Sequence, residues 1–419
     1  MEKINSQKIV TPLIIVAALG YFVDIYDLLL FGVERVESLN EILRLQFKNI
    51  SNEELSQKNV EYGKQLLNWQ MGGMLVGGIF WGILGDKKGR LSVLFGSMLT
   101  YSIANLLNGM VVTVEQYATL RFISGFGLAG ELGAGITLVS ETLSKEKRGI
   151  GTMIVATTGV FGAVVAGFMG DVIQNWRHSF YLGGAMGLVL LLLRIGVSES
   201  GMFQSIHKKE VSKGNFFQLF SSSNNIKKYF SIIFIAVPVW YVMGTLVLFS
   251  PELSVELGLP KGSITPGKSI MYAYAGITIG DLFSGMISQL LRSRKKALLI
   301  FLLLTVLGCV LYFTLGGYSV GMFNAIIVFI GFATGYWAVF ISTASELFGT
   351  NIRSTATTTI PNFVRASTIL ISALLAGVSL LIENKIEAII LTGIIVISIA
   401  FIALSLLEET FGKDLHYTE

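Results

Sequence analysis

Long apolar stretches alternate with short polar ones along the whole 419-residue chain. A hydrocarbon core of about 30 Å takes about 20 apolar residues per helix, and on that measure the pattern predicts twelve spans. They fall near 9–33, 65–84, 91–111, 117–140, 150–171 and 179–197, and then near 229–249, 270–291, 297–316, 322–345, 355–382 and 388–407. Residues 36–63, rich in both acids and bases, separate the first two spans. Residues 198–228, with Lys208, Lys209, Lys213, Lys227 and Lys228, separate the sixth from the seventh. The spacing therefore predicts an N-terminal six-helix bundle over 1–197, a linker over 198–228 and a C-terminal six-helix bundle over 229–419. A weak internal repeat agrees with two halves: SETLSKEKRG at 140–149 returns as SELFGTNIRS at 345–354, each just after a long apolar run. In both copies a glutamate (Glu141, Glu346) precedes an arginine (Arg148, Arg353) by seven residues. Two six-helix halves are the usual plan of a carrier that rocks about a central site.

Composition narrows the class. With 53% hydrophobic and 14% charged residues and a mean hydropathy of +0.68, the chain has too little polar surface for a water-soluble protein of this length. The fold class expected is an all-α polytopic membrane protein. Net charge of +4 gives no reason to expect nucleic acid. The lone Cys309 lies inside an apolar run and has no internal disulfide partner; it reads as a buried packing residue. His178, His207 and His416 fall in loops or at span ends, so neither a histidine relay nor a buried histidine metal site is expected. The glycines of 72–85 carry no phosphate-cradling lysine–serine pattern, which argues against an ATP-driven pump. No nucleophile–base constellation stands out, so neither an enzyme nor a cofactor is expected. The first span follows Lys3 and Lys8 but is long for a signal sequence, and it reads as a retained helix. With both termini inside, the inner loops hold roughly twice as many Lys and Arg as the outer loops, the bias of a cytoplasmic face. A bacterial inner-membrane location and a monomer are the expectation.

The loop after the second span, GILGDKKGR at 82–90, resembles the signature loop of the major facilitator superfamily, although Leu91 stands where the family often has another basic residue. That resemblance implies a twelve-helix fold, with Asp86 and Arg90 as gate residues and Asp86 against the N-terminal end of the eleventh helix, holding the inner side shut. A carboxylate is favoured at that end of a helix dipole. A degenerate copy, GMISQLLRSRKK at 285–296, has Gln289 in place of the aspartate. The fourth span, RFISGFGLAGELGAGITLVSE at 121–141, packs five glycines around Glu131. This pattern is similar to that of the metabolite:proton symporter group. DIYDLLLFG (24–32), RIGVSESGMF (194–203) and EETFGKDLHY (408–417) resemble passages of the same group, with Asp24 and Gly201 as departures. The fifth span, GVFGAVVAGFMG at 159–170, lacks the proline that marks many drug exporters.

Charges within a membrane span are costly and usually face a cavity or a partner. Asp24 and Asp27 lie three apart, and an Asp27–Arg121 pair is predicted, with Asp24 competing for the arginine. Such a pair reads either as a static structural bridge or as a proton-controlled latch. Arg365 lies mid-span with no acid one turn away. Its anion is expected to be Glu131, Asp281 or a substrate carboxylate, which a guanidinium holds through two parallel hydrogen bonds. Pro361 and Asn362 nearby are expected to loosen the helix and expose polar backbone to the cavity. Trp240, Tyr241, Tyr336 and Trp337 sit mid-span, either as packing or as cavity lining. Arg194 is expected to snorkel to the surface. Glu141, Arg148, Glu346 and Arg353 read as ion pairs that close the inner side and break when it opens. The function expected is proton-coupled symport of a small organic anion or zwitterion; the alternative is proton-driven export of an organic acid.

Overall fold

The computed structural model describes residues 12–143, 147–194 and 215–413. The side chain of Arg148, residues 195–203 of the sixth-span motif, the first lysines of the linker and the end of the tail lie outside the described residues. The first bundle comprises α1 (Pro12–Gln46), α2 (Asn52–Lys88), α3 (Arg90–Asn108), α4 (Val114–Leu128), α5 (Glu131–Thr142), α6 (Arg148–Val172) and α7 (Trp176–Leu193). A 3-10 turn (Phe216–Phe220) leads into the second: α8 (Ser223–Tyr241), a π turn (Val242–Val247), α9 (Ser250–Glu256), α10 (Pro266–Leu290), α11 (Arg294–Leu315), α12 (Val320–Ala333), α13 (Trp337–Leu347), α14 (Arg353–Ser379) and α15 (Lys385–Leu406). Taking α4 with α5 and α12 with α13 as single crossings gives twelve spans. Eleven are long and apolar enough to cross a membrane by composition alone; α2 is diluted by its glycines and by Gln65, Asn68 and Gln70.

Three departures from the sequence reading matter for the site. The polar stretch 36–63 is mostly helix: α1 runs on to Gln46 and α2 starts at Asn52, where the Ser51 hydroxyl accepts from the Glu54 N–H at 3.1 Å. The fourth and tenth spans are interrupted, at Ala129–Gly130 and at Thr334–Tyr336. The seventh span contains Pro238 and then loosens into the π turn, consistent with the freed carbonyls that a proline leaves. Glycines set how closely helices approach. A Cβ on Gly73 or Gly77 would strike the α4 backbone at Phe122 or Phe126, and one on Gly133 would strike Thr358 of the other bundle. The bundles meet along α2 with α14 and along α6 with α10.

Candidate functional site

The centre of the molecule holds a cavity of about 30 Å³, room for about two waters. Its wall includes Tyr21 of α1, Trp240, Tyr274, Thr334, Trp337 and Arg365. Arg365 is buried, and its Nη2 lies 3.9 Å from Asp24 Oδ2 on the opposite bundle. Its Nη1 donates to Asn362 Oδ1 at 3.3 Å, and the guanidinium sits 5.8 Å from the Trp337 ring centroid. Arg365 Nε and Nη2, and both Asp24 oxygens, have no hydrogen-bond partner among the described residues. The pair is therefore close enough to attract but not locked by hydrogen bonds. Trp337 Nε1 donates to Tyr21 Oη at 3.0 Å, a second link across the bundles. Asn362 Nδ2 donates to the Ala129 carbonyl at 2.8 Å, at the interruption between α4 and α5.

The remaining predicted centre residues divide. Trp240 and Trp337 line the cavity, whereas Tyr241 and Tyr336 do not. Tyr241 Oη donates to the Ile389 carbonyl at 2.8 Å and Tyr336 Oη to that of Ile235 at 2.9 Å, so both pack within the second bundle. Asp281 stands behind the cavity wall, where its Oδ1 accepts from the Ala338 N–H at 3.0 Å and caps α13. It is thus not the partner of Arg365, and neither is Glu131. Glu131 pairs with Arg194, which also donates to the Leu94 carbonyl at 3.1 Å. Arg194 is only 1% exposed, so it does not snorkel.

Asp27 and Arg121 are not an ion pair in this structure. Arg121 donates to Asn105 Oδ1 at 2.7 Å and to Asn108 Oδ1 at 3.3 Å, and it lies 4.9 Å from the Phe180 ring centroid. Asp27 is fully buried against α7, where a Cβ on Gly183 would meet its Oδ1. Three helical steps leave two side chains about 60° apart around the axis. That is enough for Asp24 to face the passage and Asp27 the interior of its own bundle.

At one end of the passage the bundles are joined by charge. Asp86 Oδ2 accepts from the Thr355 N–H at 2.8 Å and its hydroxyl at 2.7 Å, while Oδ1 accepts from the Ser354 N–H at 3.2 Å. Asp86 thus caps α14. Arg90 Nη2 meets Glu141 Oε1 at 2.8 Å, and that oxygen also faces Arg353 Nη1 at 3.4 Å. Thr137 and Thr357 share a hydrogen bond of 2.7 Å across the bundles. Glu346 pairs with Arg294 at 3.1 Å, within the second bundle, a partner that the repeat did not reveal. The tail fastens this corner: Thr410 Oγ1 donates to Glu346 Oε2 at 2.8 Å, and Phe411 lies under the Arg294 guanidinium. Glu409 accepts from Ser293 Oγ and from the Arg294 N–H. Partial burial works against its charge, but the Ser293 hydroxyl and the N–H groups of Arg294, Phe411 and Lys295 outweigh it, holding Glu409 below the usual carboxylate range.

At the other end a smaller cavity of about 20 Å³ is lined by apolar groups, among them Phe31, Leu67, Met243, Leu248 and Ile270. Beyond it Arg35 of α1 meets Glu252 of α9 at 2.9 Å. Among the described residues, ion pairs join the two bundles at Arg35–Glu252, Asp24–Arg365 and Glu141–Arg353. Sequence reasoning missed Tyr21, Tyr274, Thr334, Arg35 and Glu252. Tyr21 and Tyr274, polar aromatics in apolar runs, left a local signal.

A crossing interrupted at the cavity wall, an arginine facing that cavity and a carboxylate-capped helix at one end fit a carrier of small molecules. The family model described as Major Facilitator Superfamily matches residues 62–373, and the chain belongs to that superfamily. A Haemophilus influenzae protein named for metabolite transport is 26% identical over 389 residues, covering 87% of this chain and 88% of its own. A Bacillus subtilis protein named for niacin and nicotinamide transport, NiaP, is 25% identical over 70% of this chain and 73% of its own. The Escherichia coli 3-(3-hydroxy-phenyl)propionate transporter is 26% identical over 68% and 69%. Among solved structures, the proton:xylose symporter XylE matches with a TM-score of 0.74 at 17% identity, over 97% of both chains. These relatives are transporters of metabolites, not enzymes.

Proposed function

We propose that the protein carries a small organic anion together with a proton by alternating access, with both termini on the cytoplasmic side of a bacterial inner membrane. The observation that carries this reading is Arg365 in the cavity wall, facing Asp24 of the other bundle at 3.9 Å without a hydrogen bond. A substrate carboxylate offers Arg365 the bidentate geometry that Asp24 does not. Asp24, once displaced, is a buried carboxylate without its cation, and taking up a proton relieves that cost. Substrate and proton then depend on one another. Asp27, Arg121 and Glu131 supply the further polar groups that a proton path through the first bundle needs. Tyr21, Trp240, Tyr274 and Trp337 give the cavity aromatic walls, which favours an aromatic or other planar acid over a sugar. The relatives named for niacin and for 3-(3-hydroxy-phenyl)propionate carry substrates of that kind. A zwitterion uses the same arginine. Asp86, Arg90, Glu141, Arg148, Glu346 and Arg353 act in this scheme as the cytoplasmic gate.

The test is uptake by proteoliposomes. A monoanion moving with one proton carries no net charge, so an imposed pH difference should drive nicotinate or 3-(3-hydroxyphenyl)propionate accumulation and an imposed voltage alone should not. Arg365→Lys should raise KM at least about tenfold, because a point charge does not reproduce the planar fork. Unchanged KM in that variant, or uptake indifferent to pH, would sink the reading.

A further inference from the structure

We infer that the Arg35 end of the passage is a second anion-binding station, for a small monocarboxylate, with Glu252 as the resident group that the ligand displaces. The inference rests on the transport reading above, because the station would admit the same class of substrate that Arg365 holds. Arg35 is fully buried, yet of its three guanidinium nitrogens only Nη2 has a hydrogen-bond partner among the described residues, Glu252 Oε1. Nε and Nη1 have none, and Glu252 Oε2 likewise has none. A buried guanidinium usually has its donors filled; once Glu252 leaves, Nη2 together with Nε or with Nη1 forms the parallel pair of donors that matches the two oxygens of an incoming carboxylate. The resident acid is easy to exchange: its side chain is 35% exposed while that of Arg35 is 0%. The surroundings favour an anion with a flat apolar body. Phe249 presents its ring 4.9 Å from Arg35 Cζ and 5.7 Å from Lys64 Nζ, and Lys64 is exposed. The neighbouring acid Glu34 is turned away and accepts from Ser179 Oγ at 2.7 Å.

Position gives this cluster its role. Arg35, Lys64 and Glu252 lie one helical turn beyond Gly32, Leu67 and Leu248, which line the 20 Å³ apolar cavity. That cavity shares Leu28 and Trp240 with the central one. A carboxylate entering here meets a cation, then an apolar collar, then Arg365. Both arginines are held by a carboxylate from the opposite bundle, so a ligand that takes either arginine also loosens a link between the bundles. Binding at the Arg35 station therefore opens the collar.

The experiment uses purified full-length protein carrying Cys309→Ser and Met243→Cys, and follows the rate at which N-ethylmaleimide labels the new thiol inside the collar. Detergent solution makes the readout independent of membrane orientation and of any transported substrate. Benzoate should raise the rate about three- to fivefold, the scale of one partly exposed ion pair, and neutral benzamide should not. Adding Arg35→Gln should raise the rate without benzoate and remove its response to benzoate. Adding Arg365→Lys should leave the benzoate response in place, which separates this station from the central one. No acceleration by benzoate, or an acceleration that survives Arg35→Gln, would overturn the inference. So would a response lost in Arg365→Lys and kept in Arg35→Gln.

Discussion

The two ends of the passage are closed by different physics. At the Asp86 end, Asp86, Arg90, Glu141 and Arg353 are all buried and tied by hydrogen bonds that cross from α2 and α5 to α14. At the Arg35 end, apolar side chains around a 20 Å³ cavity meet beneath one ion pair whose acid reaches solvent. The first closure depends on geometry and charge, and losing one member strands the others. The second depends on apolar contact, which re-forms in many arrangements, with a single exchangeable latch. The Asp86 end should thus behave as a switch with two definite positions, and the Arg35 end as a more graded lid.

The strongest way to break this contrast is Glu141→Gln. Removing one partner of a buried pair typically costs about 3–5 kcal/mol, and here Arg90 and Arg353 both lose the Glu141 oxygen that they share. Spin labels on Lys87 and Lys296 should move from a single short distance to a mostly longer one; an unchanged distance distribution would mean that this network does not hold the end shut. A smaller effect is expected at the other end. Glu252→Gln should lower thermal stability by on the order of 1 kcal/mol, and high salt should erase most of the difference between variant and parent. A larger loss that salt does not screen would make the two closures alike.

The smallest effect concerns the tail at the charged end. Glu409 is held below its usual range by the Ser293 hydroxyl and backbone N–H groups, against the opposing effect of burial. A depressed carboxylate stabilises the folded state above its unfolded pKa, and that contribution disappears as pH falls through the lower folded value. Glu409→Gln should therefore melt slightly below the parent at neutral pH, by well under about 1 kcal/mol given solvent screening. The two curves should converge below the ordinary carboxylate range. Melting curves across pH test the sign: a gap that widens in acid would contradict it.

Much of the architecture was legible because a bilayer imposes a length on every crossing, so the spans could be read from apolar runs alone. The contact between Asp86 and α14 was legible for a different reason, since the loop 82–90 carries a local motif. The partners of the buried charges were not legible. Asp27 and Arg121 lie in spans that pack together, yet Asn105 and Asn108 of α3 take the arginine instead. The choice depends on how three helices are rotated, which no single span encodes. Arg194 resembled a surface anchor because it ends its span, but the interruption after Ala129 brings Glu131 within reach of it. Arg35 and Glu252 are 217 residues apart and lie just past the ends of two predicted spans, where no periodic signal marked them.

The interruption after Ala129 has one more consequence. Its carbonyl accepts from Asn362 of the opposite bundle, so a main-chain oxygen of one half is satisfied only while the halves touch there. In the alternating-access scheme proposed above, the oxygen must either stay bare at high cost or be wetted each time the halves part on that side. Hydration should therefore reach this depth once per cycle, and an isotope-edited infrared band of that carbonyl would count the turnovers.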